Sequence, residues 1–439
     1  MKVLKFGGTS VGSPERIEQL LPIIKSQTAD KHVVVLSAVS GTTNDLVTLS
    51  ELYANKNIEG AYQHIDALYE KYKVFVNTLF KTEEGLAEAL AFIDKIFDLF
   101  YQFKNKNFTS DAERIILAQG EIISTTLFHL HLKEIDIPST LLSALDFMLV
   151  DEEHEPNVDF IREHASLEME KYPEETLFIT QGYICRNAQG EIDNLRRGGS
   201  DYTASLLGAA LQVEEIQIWT DIDGFHNNDP RYVTNTKPIA RLNFDEAAEL
   251  SYFGAKILHP QSVFPARKYN VPVRLLDTMN LNASGTLISG ETTNQNQIVA
   301  IAAKDGITAI RIQSSRMLMA YGFLRKVFEV FERFKTPIDM ITTSEVAVSL
   351  TIDQTESLSE IIKELEVFSA VEIDGEQSII CIVGDFRENN HGHATIVSEA
   401  VKHVPIRMIS YGGSENNISL LVPSTYKIET LRSLHNRLF

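Results

Sequence analysis

The chain has 439 residues, 44% of them hydrophobic, and is therefore long enough for two or three domains with cores of their own. Its formal net charge of −20 excludes sequence-independent binding to nucleic acid or to an anionic membrane, because both need a basic surface. Cys185 and Cys381 lie far apart and outside any zinc-ligand spacing, so we expect reduced thiols and no metal held by the protein. With no apolar run long enough to span a bilayer and no targeting segment, the sequence predicts a cytoplasmic protein.

The first element is a short strand followed by a glycine-rich turn. Residues 3–6 predict a buried strand that contains Lys5, residues 7–14 (GGTSVGSP) form the turn, and residues 15–25 have a helical pattern. A strand, a glycine turn and a helix place backbone N–H groups around a phosphate, here with a lysine beside them. The turn is not a Walker A loop, and the chain lacks the dinucleotide and protein-kinase motifs. An ordinary connection between a strand and a helix is the alternative.

The next strand leads to a second candidate ligand loop. Residues 32–38 are almost continuously apolar, as a parallel strand that is buried on both faces requires. They end at the polar loop 39–44, and ligands of open α/β sheets bind where such strands end. Residues 46–103 then have a helical pattern with an apolar stripe, which is typical of packing.

A further helix is predicted over residues 113–132, with Gly120 and Glu121 in its middle. Glycine inside a helix costs about 1 kcal/mol relative to alanine, so Gly120 suggests close approach to a ligand. The alternative for Glu121 is a solvent-exposed helix carboxylate.

A strand over residues 177–184 precedes the segment 195–204 (LRRGGSDYTA), which holds two arginines and two glycines before an apolar helix. Glycine permits close approach of the backbone, and Ser200 or Asp201 can cap the helix, so amide donors and a positive dipole end meet at one point. This arrangement predicts an anion site, although a capped helix after a tight turn explains the same letters.

A strand over 215–219 ends in the polar loop 220–231, and the helix predicted over 245–253 is followed by Gly254 and Lys256. Four cations of this acidic chain thus lie at strand ends or beside glycines, where a bound phosphate would need them. They are Lys5, Arg197, Arg231 and Lys256.

Four segments together resemble the aspartate kinases of the amino-acid-kinase fold: residues 5–11, residues 197–204, residues 219–221 with 229–231, and residues 253–260. The glycine motifs alone are shared with glutamate, acetylglutamate and uridylate kinases, whereas the full set is specific to aspartate kinases. Two positions depart from the family pattern, namely Arg196 before the glycines and His226, near where a tyrosine that contacts the nucleotide is common. The resemblance implies an α/β fold with an open, mostly parallel sheet flanked by helices.

The resemblance also implies a reaction, the transfer of a phosphoryl group from ATP, with Mg²⁺ on its phosphates, to the side-chain carboxylate of L-aspartate. Lys5 would neutralise the phosphoryl group and Asp201 would orient Lys5. The substrate-binding residues implied are Thr43, Glu121 (facing the ammonium), Arg197 (clamping the α-carboxylate) and Ser200. The ATP-binding residues implied are Lys5, Gly7, Gly8, Ser10, Thr220, Asp221, Arg231, Lys256 and Ile257.

The C-terminal third contains an internal repeat. Gly322 opens a helix that leads to PIDMI (337–341) and a strand over 346–352, and Gly392 opens a second that leads to PIRMI (405–409) and a strand over 418–422. Two copies of a βαββαβ pattern predict two α+β units, which resemble paired ACT domains; structural units without a ligand are the alternative. The bounds predicted are 1–292 for the catalytic domain, 293–303 for a linker and entry strand, and 304–376 and 377–439 for the two units.

The first repeat is the predicted effector site, with L-lysine as the expected inhibitor and threonine, or no effector, as alternatives. The residues implied are Met317, Gly322, Phe323, Leu324, Asp339, Ser344 and Glu345. We expect a homodimer or higher homo-oligomer paired through these units. We also expect a monofunctional enzyme, since no dinucleotide motif follows. A kinase for another acid such as glutamate, or an inert amino-acid sensor, remains an alternative function.

Overall fold

The computed structural model describes residues 1–26, 30–105, 108–195, 198–254, 258–291, 297–314, 321–387 and 391–439. Its strands, in chain order, are β1 (Lys2–Phe6), β2 (His32–Leu36), β3 (Thr140–Leu142), β4 (Leu177–Gln181), β5 (Ile184–Arg186), β6 (Ile192–Asn194), β7 (Glu215–Thr220), β8 (Arg241–Asn243), β9 (Val273–Asp277), β10 (Thr286–Ser289), β11 (Ile298–Gln313), β12 (Ile341–Thr343), β13 (Ala347–Ile352), β14 (Ala370–Gly384), β15 (Met408–Tyr411) and β16 (Asn417–Pro423). Its α-helices are α1 (Pro14–Ser26), α2 (Thr42–Ala54), α3 (Ile58–Leu79), α4 (Glu83–Tyr101), α5 (Ser110–Glu134), α6 (Val158–Glu170), α7 (Gly199–Leu211), α8 (Phe244–Tyr252), α9 (Phe264–Lys268), α10 (Phe323–Arg333), α11 (Leu358–Glu366), α12 (His393–Ala400) and α13 (Lys427–Leu438).

The chain forms two compact units. The first consists of Met1–Phe225 and Leu258–Glu291, and the second of His226–Ile257 and Thr292–Phe439. Residues 226–257, predicted to be part of the catalytic domain, thus belong to the compact unit that also contains the repeats. The predicted domain bounds stay a prediction.

A parallel sheet forms the centre of the first unit. Its strands lie in the order β3-β4-β2-β1-β7-β9-β10, and every neighbouring pair is parallel except β9 with β10. Phe6 pairs with Leu36 and with Trp219, and Leu36 pairs with Gln181, so four strands end at the same level. The predicted open, mostly parallel sheet is confirmed, and its register brings the segments after β1, β2, β4 and β7 to one edge.

The helical stretch predicted over residues 46–103 is three helices, α2, α3 and α4. The side chain of Asn57 accepts a hydrogen bond from the N–H of Gly60 at the start of α3, and that of Thr82 accepts one from Gly85 at the start of α4. Both are N-caps, which satisfy a free N–H of the first turn and begin a new helix.

Helix α5 crosses the core of the first unit. It is long and apolar enough to span a membrane by length and composition, but 78% of its most apolar window is buried inside the fold. It packs with α2, α3 and α4 in one cluster that includes Leu46, Tyr72, Phe97 and Phe128. This burial is that of a core helix.

The second unit is built on one antiparallel sheet, in the strand order β12-β13-β11-β14-β16-β15. The order is symmetric about the central pair β11 and β14. Gly322 precedes α10 with φ 81° and Gly392 precedes α12 with φ 90°, and both values favour glycine because a Cβ is strained there. The equivalent glycines and strands confirm the predicted pair of α+β units.

Each half of this sheet has its own hydrophobic core, and the two long central strands, β11 and β14, run through both halves. Ile310 and Phe331 lie in one core, whereas Ile301 and Leu434 lie in the other. The register between β11 and β14 shifts after Lys304, next to Gly306 with its φ of 75°. Residues 298–303, predicted as part of a linker and entry strand, are therefore a paired strand in the core of the second half.

Candidate functional site

A cleft of about 520 Å³ opens at the sheet edge of the first unit where β1, β2, β4 and β7 end. Parallel α/β sheets bind ligands at this edge, because loops and helix N-termini converge there. Eight predicted site residues line the cleft: Lys5, Gly7, Gly8, Thr43, Glu121, Ser200, Asp201 and Thr220. The fold thus brings predicted site residues that are up to 215 positions apart in the chain into one cleft.

Lys5 lies near the end of β1 and is only 9% exposed. Its Nζ is 2.6 Å from Oδ1 of Asp201, which lies in the first turn of α7. A buried cation needs a nearby anion because its removal from water is costly. The carboxylate of Asp201 also interacts favourably with the positive end of the α7 dipole. The pair fixes one ammonium group at the cleft wall.

The turn after β1 approaches the loop after β2 very closely. A Cβ on Gly8 would lie 2.8 Å from the carbonyl oxygen of Ala38, and a Cβ on Gly7 would lie 3.3 Å from Nζ of Lys5. The N–H of Ser40 donates to the carbonyl oxygen of Gly8 at 3.1 Å. A side chain at Gly8 would push these two loops apart, so the glycine is needed for the shape of the cleft.

Ser10 lies in the same turn but does not line the cleft. It is 1% exposed, and its Oγ has no hydrogen-bond partner among the described residues. Buried hydroxyl groups are nearly always paired, so this oxygen is a candidate for a bond to a ligand or an ordered water.

Glu121 is a buried carboxylate on the cleft side of α5, not the solvent-exposed one of the alternative reading. Its Oε1 accepts a hydrogen bond of 3.2 Å from the N–H of Ala38. Burial raises the pKa of Glu121 to about 7, and the bond from Ala38 opposes this only in part. The interpretation of Gly120 as a mark of ligand approach is wrong, since its Cβ would lie 2.9 Å from Cβ of Ala38. Gly120 lets α5 pack against the loop after β2.

Ser200 is positioned by a close approach to the end of β4. A Cβ on Gly182 would lie 2.3 Å from both Cβ and Oγ of Ser200 and 2.7 Å from its Cα. The start of α7 thus rests on the backbone of Gly182, and the two segments can meet only because residue 182 has no side chain.

Tyr183 lines the cleft and was missed by the sequence analysis. Its φ is 68°, a conformation that few residues other than glycine adopt, and its N–H donates to Oγ1 of Thr203 at 2.9 Å. Strained residues cluster at functional sites. An aromatic residue directly after a strand that ends in Gln-Gly was a usable signal. The loop after β2 also supplies more lining residues than the single one predicted, including Ser40 and Gly41.

The residues predicted to bind the nucleotide beyond the glycine turn lie in both units. Thr220 ends β7, and its Oγ1 donates to Oδ1 of the exposed Asp221 at 3.2 Å. Arg231 belongs to the second unit, where Nε and Nη2 pair with the carboxylate of Asp229 at 2.9 and 2.6 Å. His226 also belongs to that unit, with Nδ1 3.1 Å from Oγ1 of Thr236. Arg196, Arg197, Lys256 and Ile257 lie outside the described residues.

The predicted effector carboxylate, Asp339, already has partners within the second unit. Its side chain is fully buried, and Oδ1 lies 2.7 Å from Nζ of Lys304 and accepts a 2.7 Å hydrogen bond from the hydroxyl of Tyr252. Oδ2 is buried without a hydrogen-bond partner among the described residues. Nζ of Lys304 also forms an ion pair with Oδ2 of Asp353, at 2.9 Å. Oδ2 of Asp339 therefore retains an unused capacity to accept a hydrogen bond from outside the described residues.

The other predicted effector residues lie near the start of α10 and after β12. Phe323 is buried and Leu324 is exposed at the first turn of α10, directly after Gly322. Oγ of Ser344 accepts a 3.2 Å hydrogen bond from the N–H of Ala347, and Glu345 is exposed. Met317 lies outside the described residues. Their role as effector ligands stays a prediction.

The cleft combines a fixed ammonium group, a glycine turn, a helix N-terminus and a buried carboxylate. The ammonium group, the backbone N–H groups of the turn and the positive end of the helix dipole can attract an anion, and the carboxylate can pair with an ammonium group. No cluster of three or more histidine, cysteine or acidic residues with metal-ligand geometry occurs in the described ranges. This is the layout of a site for phosphoryl transfer to a small zwitterion.

Comparison with known proteins agrees with this class. A model of the amino acid kinase family matches residues 1–277, and a model of the ACT domain matches residues 380–438. Lysine-sensitive aspartokinase 3 of Escherichia coli is 34% identical over 453 residues, which cover 100% of this chain and 99% of that protein.

Solved structures are similar over the same length. Aspartokinase III of E. coli in complex with lysine and aspartate (T state) has a TM-score of 0.85 at 32% identity, and covers 100% of this chain and 99% of the other. The same enzyme with aspartate and ADP (R state) has a TM-score of 0.81 at 32% identity and covers both chains fully. The chain belongs to the amino acid kinase family and, within that family, to the aspartokinases. The predicted family and fold class are confirmed.

Proposed function

We propose that this chain catalyses the phosphorylation of the side-chain carboxylate of L-aspartate by ATP, which gives 4-phospho-L-aspartate, the first step of lysine, threonine and methionine biosynthesis. The observation that carries the proposal is the Lys5–Asp201 pair, with Nζ held 2.6 Å from the carboxylate at the wall of the cleft. The relatives named above support the choice of aspartate as the substrate.

The chemistry needs no general base. The side-chain carboxylate of aspartate has an ordinary pKa near 3.9, so it is already an ionised nucleophile at neutral pH. The protein has to align the attacking oxygen with the phosphorus and the leaving oxygen, and to neutralise the charge that spreads over the phosphoryl group. In our proposal Lys5 supplies that charge, while Asp201 holds its ammonium in place.

The substrate's two charged ends have separate partners in this proposal. Glu121 faces the ammonium, Arg197 clamps the α-carboxylate with its planar fork, and Thr43 and Ser200 complete the pocket. The N–H groups of Gly7 and Gly8, which line the cleft, and the hydroxyl of Ser10, which has no hydrogen-bond partner among the described residues, would bind the phosphates of ATP. Mg²⁺ would be carried mainly by those phosphates. Thr220, Asp221, Arg231, Lys256 and Ile257 are proposed to hold the rest of the nucleotide.

The test is acyl-phosphate formation from L-aspartate with ATP and Mg²⁺, trapped as the hydroxamate, with L-glutamate in a parallel reaction. We expect a hydroxamate that depends on aspartate and ATP, and little product from glutamate. Preference for glutamate would instead indicate a kinase for another acid. No product from either acid would favour an inert amino-acid sensor.

The raised pKa of Glu121 predicts the pH dependence of aspartate binding. Below pH 7 the buried carboxyl is protonated and cannot pair with the ammonium, so kcat/KM for aspartate should rise roughly tenfold per pH unit below 7 and level off above it. The Glu121→Gln variant should have a lower kcat/KM and a flat profile. A wild-type profile that stays the same in this variant would contradict the assignment.

The raised pKa of Glu121 also predicts that stability falls as the pH rises, whereas kcat/KM increases. Because the folded state holds the proton of Glu121 up to about pH 7 and the unfolded state only to its ordinary value near 4.5, this group's contribution to the free energy of unfolding falls as the pH rises from 4.5 to 7. A buried carboxylate that lowers stability at neutral pH fits a binding role, since the cost is recovered when an ammonium group binds.

We further propose that L-lysine inhibits the enzyme at the first α+β unit. There Oδ2 of Asp339, which is buried and has no hydrogen-bond partner in the described part of the chain, would accept the ammonium of lysine. The Asp339→Asn variant should raise the lysine concentration for half-inhibition by about tenfold, equal to 1.4 kcal/mol. Lys304 retains Asp353 as a partner in this variant. Asp353→Asn is the matched control and should leave inhibition within twofold. Equal effects of the two substitutions would contradict the assignment of Asp339.

The proposal extends to the assembly and the compartment. Exposed apolar residues on the edge strands β12 and β15, Ile341 and Ile409, support a homo-oligomer paired through the α+β units. The two cysteines, Cys185 and Cys381, are buried and free, which supports a reducing compartment such as the cytoplasm.

A further inference from the structure

The loop after β2 forms one wall of the cleft, and α5 holds it from the inside. Oγ of Ser124 donates to the carbonyl oxygen of Ser37 at 2.7 Å, and the N–H of Ala38 donates to Glu121 at 3.2 Å. These bonds fix the start of the loop. They do not reach its end, where Gly41 and Thr43 line the cleft.

The end of the loop is held from the other side, by α3. The hydroxyl groups of Tyr72 and Thr42 share a hydrogen bond of 2.7 Å, and the two residues are 2% and 0% exposed. One turn along the chain from Thr42, Nζ of Lys71 lies 3.1 Å from Asp45 and Nε2 of His64 lies 2.8 Å from the carbonyl oxygen of Asp45. Helix α3 thus touches the loop without lining the cleft.

The Tyr72–Thr42 bond lies at the point where the loop needs support most. Thr42 is the first residue of α2, and Gly41 before it has φ 86° and no side chain with which to cap the helix. Most helices begin at a capping side chain, which fixes the direction of the entering chain. In α2 no side chain among the described residues caps an N–H; the position of Thr42 is fixed instead by its buried hydrogen bond to Tyr72 of a neighbouring helix.

We propose that Tyr72 is a positioning residue for the substrate acid. Through Thr42 it sets the backbone of Gly41 and Thr43, which line the same cleft as Ser200. The proposal rests on the proposed aspartate kinase function and adds a residue that never touches the substrate. Loss of the bond would leave Thr42 with a buried, unpaired hydroxyl group, which costs more than removal of both partners together.

The experiment compares Tyr72→Phe with Tyr69→Phe. Tyr69 lies on the same helix, and its hydroxyl donates to Asp94 on α4 at 2.6 Å, away from the loop. In hydroxamate assays with aspartate, we expect Tyr72→Phe to raise KM for aspartate about tenfold, with kcat and KM for ATP changed less than twofold. Tyr69→Phe should leave all three constants within twofold.

A second variant separates positioning from stability. Thr42→Val combined with Tyr72→Phe removes both hydroxyl groups, so it should recover most of the stability lost by Tyr72→Phe while KM for aspartate stays raised. Thr42→Ser, which keeps the hydroxyl, should bind aspartate like the wild type. If the double variant regains the wild-type KM, Tyr72 acts only on stability and the inference is wrong.

Hydrogen exchange gives a readout that does not depend on activity. The N–H of Thr42 donates to the carbonyl oxygen of Val39 at 2.9 Å, and its protection should fall in Tyr72→Phe but not in Tyr69→Phe. Equal protection in both variants would overturn the inference even if the chain phosphorylates aspartate. The two proposals can also fail separately. If the wild-type chain phosphorylates no aspartate but Thr42 loses protection only in Tyr72→Phe, the proposed function is refuted and the dependence of the loop on Tyr72 remains supported.

Discussion

Replacement of Lys5 by alanine is expected to lower kcat by about 10³-fold, with a much smaller change in KM for aspartate. Lys5 is the one cation among the described residues that line the cleft, so its loss removes the charge that would stabilise the transferring phosphoryl group. It also leaves Asp201, whose side chain is 18% exposed, without its partner 2.6 Å away. The measurement is steady-state hydroxamate formation at saturating ATP and aspartate.

Lys2 provides the matched control for this substitution. It lies on the same strand, at the end far from the cleft, where it pairs with His32 and Glu215 in the register of the sheet. Lys2→Ala should retain kcat within twofold. A Lys5→Ala enzyme that keeps more than a tenth of the wild-type kcat would refute the role of Lys5.

Replacement of Gly182 by alanine should damage both stability and activity. The new Cβ would lie 2.3 Å from Cβ and Oγ of Ser200 and 2.7 Å from its Cα, and no real Cβ comes so close to a backbone atom. The start of α7, with Ser200 and Asp201, has to move away from β4. We expect a loss of about 3 kcal/mol in the free energy of unfolding and a fall of about 10²-fold in kcat/KM for aspartate.

Gly375→Ala is the control, because no atom lies within 4 Å of its Cβ position and its φ is not in the left-handed region. Urea unfolding and steady-state kinetics of the two variants give the comparison. Near-wild-type activity of Gly182→Ala would mean that the start of α7 is not fixed by β4, and the geometry described for Ser200 would lose its functional meaning.

Local patterns explain most of what the sequence predicted about the fold. Apolar runs identified the parallel strands, glycine turns identified where they end, and the PI-x-MI repeat identified two equivalent units. The breaks at Asn57 and Thr82 within the predicted helix over 46–103 were also local, since each residue caps the helix that follows. The alternation of strands and helices then fixed which turns share an edge of the sheet.

Contacts between distant segments could not be predicted in the same way. The neighbour of Gly120 is Ala38 rather than a ligand, and Asp339 binds Lys304, 35 residues away. The contribution of Tyr183 depends on a left-handed backbone that is maintained by Thr203. Such features arise from packing between elements, whereas sequence patterns report on each element separately.

The strand β11 has a consequence for the synthesis of the chain. Its first half pairs with the second half of β14, and Ile301 faces Ile382, a residue 81 positions later. A ribosome releases residues 298–304 long before their pairing partners in β14 exist. This apolar segment therefore remains without its neighbouring strand while the first repeat folds around the other half of β11. Early folding of the first repeat therefore leaves an open template, on which the last 60 residues or so of the chain complete the sheet.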